Sequence, residues 1–299
     1  MMWSQLKSRQ EPQGGGTNAS SEDVTQRRIF DSLAELVRRE TGIALTAARK
    51  AQLLGKVRRR CEALGCPDLR SYIQLLSSKR SGGGELEKLV SLATTNVTEF
   101  FRHRDQFDVF EKEVLPEVVT DRQSQRSLRI WSAGCATGEE VYSIAMILAD
   151  RFENQRGWDL KVLGTDLSRD ALAVASRGVY STSALKNVPR RYLVRFFQAV
   201  PQSDQMQVAD AVRRITLFRR LNLMEPRYPL RRDVDVIFFR NVAIYFEPDI
   251  RRAVMFRISE HLRPGGFLVL GPAENLMDMR QCFEPVKANV FRKKRDKAG

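Results

Sequence analysis

Residues 128–150, LRIWSAGCATGEEVYSIAMILAD, decide the fold. Leu128 to Trp131 read as a buried strand, Gly134 and Gly138 as a tight turn, and the residues from Gly138 onward as a helix. A strand, a glycine turn and a helix in that order make the nucleotide-binding turn of an α/β sheet. Glu139 and Glu140 fall in the first turn of that helix. The free N–H groups and the dipole at a helix N-terminus favour anions such as phosphate. Two carboxylates at that place repel a pyrophosphate, so the turn suits a nucleoside that carries positive charge.

Around this stretch, strands are expected at 128–132, 160–165, 234–239, 266–271 and 288–292, with helices at 138–151, 168–177 and 249–262. Strands alternating with helices predict a doubly wound, mostly parallel sheet. Residues 190–222 break the rhythm. Tyr192 to Phe197 look helical, and Gln205 to Val208 with Arg214 to Phe218 look like a short antiparallel hairpin, a small β-subdomain inserted at about 190–220.

Before the sheet, Val24 to about Thr95 is helical in pattern. Phe30, Leu33, Leu36 and Val37 recur at helical spacing and Gly42 ends that helix. A second helix, Leu45 to Leu64, carries a basic face of Arg49, Lys50, Lys56, Arg58, Arg59 and Arg60. Two shorter helices, Leu69 to Leu76 and Leu86 to Leu92, are separated by the glycine run 82–84. Phe107 to Val119 reads as a connecting helix. The expected organisation is a disordered tail over 1–22, a helical domain over 23–95, a linker and connecting helix over 96–127, and the sheet domain over 128–295.

At 299 residues the chain holds one large domain or two modest ones. It has no apolar run of the ~18 or more residues a membrane span needs. Met1 to Gln13 is polar, so no signal peptide is expected. Four cysteines, Cys61, Cys66, Cys135 and Cys282, lack metal or disulfide-framework spacing, which suits small buried hydrophobes and a reducing cytoplasm. The net charge is +14. That balance is compatible with a solvated arginine-rich surface, nucleic acid or an acidic protein partner. With only His103 and His261 present, histidine general-base chemistry and a His-rich metal site are not expected, and no metal is.

Several polar residues stand where strands end. Asp166, in VLGTDLS, closes the second strand. A carboxylate there holds ribose hydroxyls in dinucleotide-type folds, or else it caps the next helix, for which Ser168 competes. Asn222, in RLNLMEP, is a turn residue or faces an adenine ring. In DVIFFRNVAIYF, Asp235 to Phe246, an apolar strand stops at Arg240 and Asn241, followed by Tyr245 and Phe246. Ligands in open α/β sheets bind outside the carboxyl ends of strands, so these residues line a candidate pocket. A core position suits Phe238 and Phe246 but not Arg240. In TTNVTEFFRH, Thr94 to His103, the polar Asn96, Thr98 and Arg102 lie among Val97, Phe100 and Phe101; physics alone asks for no more than a linker helix with an apolar face.

Taken in order, TTNVTEFFR, WSAGCATGEEVYSIAM, GTDLSRDALAVASRGVY, FFRNVAIYF and LRPGGFLVLGPAENL resemble the signatures of the chemotaxis receptor glutamate methyltransferases, the CheR family. The resemblance runs from about residue 25 to 293. It implies a class I S-adenosylmethionine-dependent methyltransferase sheet, Rossmann-like, with a small β-subdomain insertion and an all-α N-terminal domain. It also implies the reaction, transfer of the methyl group of S-adenosylmethionine to glutamate side chains of chemoreceptors in the cytoplasm. By the same likeness Asn96, Thr98 and Arg102 close over the cofactor, Glu140 holds its ammonium and Asp166 its ribose. Asn222 and Leu223 sit at the adenine, Arg240 and Asn241 line the methyl-transfer side, and Tyr245 lies close to the reacting centre. Arg102 and Tyr245 are the expected catalytic pair; whether Arg102 or Arg240 orients the acceptor stays open. Lys56, Arg59 and Arg60 match the basic pattern that meets the glutamate-rich helical bundle of receptors.

The charges agree with that likeness. The cofactor brings a sulfonium and an ammonium and no phosphate, and an ionised acceptor carboxylate, with an ordinary pKa of about 4.3, needs no general base. Departures are Phe239 where cysteine is common, Pro272 and Ala273 where His-Ser is usual, and a 198–214 segment without the glycine turns of members that dock on a receptor's C-terminal pentapeptide. Direct binding to the methylation helices is therefore expected rather than tethering, by a monomer that neither inserts in a membrane nor binds nucleic acid. Two other classes stand beside this reading. A nucleic-acid methyltransferase would grip an exocyclic amine with Asn/Asp-Pro-Pro-aromatic, where this chain has Arg-Asn-Val-Ala. A silent adaptor would not need Arg102, Glu140, Asp166 and Tyr245 intact.

Overall fold

The structure, a computed structural model, describes residues 21–77, 82–94, 96–287 and 289–295. The tail expected over 1–22 lies outside the described residues up to residue 20; Ser21 already begins the first helix.

Four helices form the N-terminal unit: α1 (Ser21–Thr41), α2 (Ala47–Leu64), α3 (Leu69–Ser77) and α4 (Gly82–Ala93). Leu33 and Val37 of α1, Leu53 and Val57 of α2, Tyr72 of α3 and Leu89 of α4 share one small core. Thr46 caps α2 by accepting the Arg49 N–H, and Gly65 ends it in the left-handed conformation that a residue with a side chain resists. The glycines at 82–84 do not separate two helices as expected; they begin α4. Glycine's helix penalty applies to helix interiors, and these lie in the opening turn.

The connecting segment is longer than expected. It runs through α5 (Arg104–Val109), a π-helical turn (Phe110–Val114) and α6 (Leu115–Asp121). Pro116 stands in the first turn of α6 and has no N–H to give the preceding turn, which accounts for the wider winding there.

The sheet domain follows as β1 (Ser127–Ala133), α7 (Glu139–Arg151), β2 (Asp159–Asp166), α8 (Arg169–Arg177), β3 (Val179–Ser181), α9 (Arg190–Phe196), β4 (Phe197–Ala199), β5 (Gln205–Val208), α10 (Asp210–Arg213), β6 (Thr216–Arg220), β7 (Val234–Phe239), α11 (Pro248–His261), β8 (Leu262–Leu270), β9 (Phe283–Lys287) and β10 (Val290–Lys293). The large sheet has the order β6-β2-β1-β7-β8-β10-β9. Its β1, β2, β6, β7 and β8 are parallel, and β10 runs antiparallel to both neighbours. Side-chain alternation splits the core over two faces: Ile130, Val236 and Phe238 pack with α6 and α7, whereas Trp131, Ile237 and Phe239 pack with α11. This is the expected mostly parallel α/β sheet, preceded by an all-α domain.

The expected hairpin of 205–208 with 214–218 is not formed. Strand β5 pairs with β3 and β4 in a separate three-stranded sheet, and β6 joins the edge of the large sheet parallel to β2. The partner of a parallel strand lies far off in sequence, so local alternation could not reveal it. Beneath the sheet, the fully buried Asp235 carboxylate accepts from Arg122 Nε (2.5 Å), Arg263 Nε (2.7 Å) and the Arg129 N–H (2.8 Å). Among the described residues no helix is long and apolar enough to cross a membrane.

Candidate active site

The carboxyl ends of β1, β2, β6 and β7 open into a cleft, where ligands of open α/β sheets bind. It is lined by Asn96, Thr98, Arg102, Glu140, Asp166, Asn222, Leu223, Arg240, Asn241 and Tyr245, so every residue expected at the cofactor or the reacting centre meets there.

The turn after β1 is fixed by its own backbone. Gly134 N–H and Cys135 N–H both donate to Thr165 O of β2 (2.8 and 2.9 Å). Gly134 and Gly138 have φ of +84° and +96°, and a Cβ would come within 2.3 Å of Val242 Cγ2 and 2.7 Å of Ala175 Cβ respectively. The two acids that follow diverge. Glu139 is buried, its carboxylate accepting from the Thr137 hydroxyl (2.6 Å), and burial raises its pKa. Glu140 turns into the cleft. Its Oε1 accepts from Ser132 Oγ (2.8 Å) and its Oε2 lies 3.0 Å from Arg240 Nε. Burial raises the Glu140 pKa, and the Arg240 charge works against that rise.

Asp166 ends β2. Its Oδ1 accepts the Ser168 N–H and its Oδ2 the Ala136 N–H, both at 2.8 Å. Burial raises its pKa, and these backbone donors oppose the rise. The cap of α8 is Ser168, whose hydroxyl accepts the Ala171 N–H, so Asp166 is left to face the cleft. The Asp166 carboxylate has lone pairs beyond those that these backbone N–H groups use, and they are open to a hydroxyl donor. Asn222 uses its side chain as a clasp: Nδ2 donates to Glu40 O at the end of α1 (2.8 Å), and Oδ1 accepts the Met224 N–H (2.9 Å).

Arg240, the first residue past β7, is 5% exposed. Its Nη2 donates to Arg102 O (2.5 Å), its guanidinium lies 5.1 Å from the Phe107 ring centre, and its Nη1 is buried with no hydrogen-bond partner. Burial lowers the Arg240 pKa, against the pull of Glu140, and the neighbouring Arg102 adds to the lowering. A guanidinium with an unspent N–H beside a carboxylate matches a ligand that carries both an ammonium and a carboxylate, as the amino-acid end of S-adenosylmethionine does.

The 96–103 segment is not a helix. Phe100 and Phe101 anchor it, Phe100 edge-on to Tyr180 (5.0 Å) and Phe101 stacked on Tyr192 (5.4 Å). Phe101 and His103 have positive φ, which lets Asn96, Thr98 and Arg102 face the cleft together. Arg102 Nη1 donates to Val97 O (3.1 Å). The helical unit closes the remaining wall. Thr41 and Ile43 line the cleft, Ala44 N–H donates to Tyr245 O (2.8 Å), and the Arg49 guanidinium lies 3.9 Å from the Tyr245 ring centre.

Lys56, Arg59 and Arg60 lie outside the cleft. Lys56 Nζ donates to Leu92 O (2.8 Å), and Arg60 makes a two-pronged pair with the buried Glu85 (2.7 and 3.0 Å), which also accepts from Tyr72. Both hold α2 to α4. Arg59 is exposed, as is Arg58. The residue that sequence reading missed is Glu274, whose buried carboxylate meets the loop after β7. An acid three residues beyond Gly271, at a strand's carboxyl end, was the available signal.

Residues 96–292 match the family described as CheR methyltransferase, SAM binding domain, and residues 28–94 match CheR methyltransferase, all-alpha domain. A chemotaxis protein methyltransferase of Borreliella burgdorferi is 31% identical over 247 residues, 82% of this chain and 87% of that protein. Chemotaxis protein methyltransferase 1 of Pseudomonas aeruginosa is 33% identical over 265 residues, 87% and 94% of the two chains. The chemotaxis protein methyltransferase of Escherichia coli is 32% identical over 259 residues, 85% and 86%.

Proposed function

The chain belongs to the CheR methyltransferase family and is an S-adenosylmethionine-dependent methyltransferase of chemotaxis, and from that premise we propose that it esterifies glutamate side chains on the cytoplasmic helical bundle of chemoreceptors. The observation that carries the reading is the buried Glu140–Arg240 pair with its unpartnered Nη1, set between the glycine turn and the exposed mouth of the cleft. It is a receptor for an amino-acid end and leaves no place for a polyphosphate.

In this reading Glu140 takes the ammonium and Arg240 the carboxylate of the cofactor, Asp166 takes the ribose hydroxyls, and the backbone at Asn222 and Leu223 flanks the adenine. Bound S-adenosylmethionine supplies an electrophilic methyl group on a sulfonium. Arg240 is committed to Glu140 and to Arg102 O, whereas Arg102 is half-buried beside the mouth. Arg102 is therefore the arginine that orients the acceptor. The acceptor glutamate arrives ionised and needs no proton removed. What the protein contributes is alignment and exclusion of water: Tyr245, held under Arg49, and Asn96 with Thr98 shut the mouth around the carboxylate.

The recognition surface proposed for the receptor is reduced to the exposed part of α2 around Arg58 and Arg59, since Lys56 and Arg60 serve the helical unit itself. The test is incubation with a receptor helical fragment and S-adenosylmethionine, with mass spectrometry for glutamyl methyl esters. Modification at glutamate supports the reading. Methyl transfer to RNA and none to the fragment would replace it with the nucleic-acid alternative.

A further inference from the structure

We propose that Glu274 is a positioning residue for methyl transfer, holding the loop from Arg240 to Tyr245 in the shape the reaction needs. The inference rests on the methyltransferase reading and deepens it at a residue to which no role had been assigned.

Glu274 is 5% exposed and lies beyond β8. Its Oε1 accepts the N–H groups of Val242 and Ala243, both at 2.8 Å. Its Oε2 accepts the N–H groups of Asn241 (2.9 Å) and Gly271 (2.7 Å). One carboxylate thus ties together the carboxyl-end loops of two neighbouring strands, β7 and β8. Three consecutive amides of the reaction loop point at it. Asn241 has φ of +59°, a left-handed conformation that asparagine tolerates better than other residues with a side chain. Glu274 accepts from the amides of Asn241 and of the two residues after it, and so holds the chain in that shape.

The loop so held touches the parts of the site that matter. Val242 presses on Gly134 of the cofactor turn, so closely that a Cβ there would lie 2.3 Å from Val242 Cγ2. Arg240 and Tyr245 bracket the held amides on either side. If the carboxylate is lost, four N–H donors lose their acceptor, three of them in this loop, and the loop has to find another path. Tyr245 and Asn241 then move, while the contacts of Glu140 with Ser132 and of Asp166 with Ala136 and Ser168 do not depend on Glu274. The expected signature is a loss in turnover with cofactor affinity kept.

The test uses the full-length protein with Glu274→Gln, which keeps size but turns one oxygen into a donor facing two N–H groups. Dissociation constants for S-adenosylhomocysteine, kcat and KM on a receptor helical fragment, and hydrogen exchange of the 240–246 amides are measured beside the unaltered protein. An ångström-scale misplacement predicts kcat lower by about 100-fold, with the S-adenosylhomocysteine constant changed by less than about 3-fold and faster exchange at 241–243. A kcat within about 3-fold of the unaltered protein, or a loss confined to KM or to cofactor affinity, overturns the proposal. If Glu274→Gln does not fold, Gly271→Ala carries the test: its Cβ would stand 2.7 Å from Glu274 Oε2 and 2.9 Å from the Asn241 nitrogen, displacing the same clamp. The same turnover loss is expected, and unchanged kcat overturns the proposal. If the unaltered protein methylates no receptor fragment, the receptor reading falls by itself. The clamp is then judged by exchange alone, and unaltered protection at 241–243 refutes it.

Discussion

Replacing Glu140 by Gln tests the charge pair at the centre of the site. Arg240 is almost wholly buried, and Glu140 is its salt-bridge partner, 3.0 Å away, with side-chain exposures of 2% and 14%. Removing one partner of such a pair leaves an uncompensated buried charge, at a cost of about 3–5 kcal/mol of stability. Gln still accepts from the Ser132 hydroxyl, so packing is kept and the loss reports charge. Cofactor affinity falls for a second reason. A hydrogen bond to a charged group contributes about 1.5–3 kcal/mol, so loss of the ammonium contact weakens S-adenosylhomocysteine binding by roughly 10- to 150-fold. The two effects separate in a double variant, Glu140→Gln with Arg240→Met. Removing both charges returns most of the stability, because an apolar replacement of a whole buried pair is often neutral. It returns none of the affinity. The assays are urea unfolding and titration calorimetry on four proteins: unaltered, two single variants and the double. Stability losses that simply add in the double variant would show that the two charges are not coupled. An unchanged affinity in Glu140→Gln would remove Glu140 from the cofactor site.

Three further outcomes are expected. Glu139 has a raised pKa because it is buried, so its favourable contribution is complete below the unfolded carboxyl value and is lost as pH rises through the folded one; Glu139→Gln therefore unfolds at higher urea than the unaltered protein near about pH 7, and the advantage disappears below about pH 4. Asp235→Ala strips Arg122 and Arg263 of a shared buried partner and costs about 3–5 kcal/mol in urea unfolding, with little effect on cofactor affinity because the cluster lies away from the cleft. Arg59→Glu lowers methylation of receptor fragment at unchanged stability, whereas Arg60→Glu sets two acids face to face at Glu85 and destabilises the helical unit, as unfolding curves of the two variants would distinguish.

Much of this was legible in the chain. The strand, glycine turn and acidic helix start at 128–150 announce a parallel sheet with a cationic nucleoside ligand, because φ at Gly134 and Gly138 and the charge at Glu140 are local properties. Asp166, Arg240 and Asn241 were visible as polar residues where apolar strands stop. What depends on distant partners was not. The parallel pairing of β6 with β2 joins residues about fifty positions apart, so 214–218 looked like half of a hairpin. A helical face rich in Lys and Arg does not say which cations are already spent, and only Glu85 and Leu92 reveal that Arg60 and Lys56 are. Glu274 was visible as an acid past a strand's end, but its role was not, since its four donors are backbone groups of two loops and backbone groups leave no mark in the sequence. The 96–103 segment, read by physics alone as a linker helix, gets its shape from Tyr180 and Tyr192, more than seventy residues away.

The most direct measurement of the central claim is mass spectrometry of receptor helices after incubation with S-adenosylmethionine and either the unaltered protein or Arg102→Ala. Glutamyl methyl esters with the unaltered protein and their loss with Arg102→Ala, under conditions where both bind S-adenosylhomocysteine, are the predicted result. Esters that persist at full rate in Arg102→Ala would contradict the assignment of the acceptor to Arg102, and their absence with the unaltered protein would contradict glutamate esterification itself.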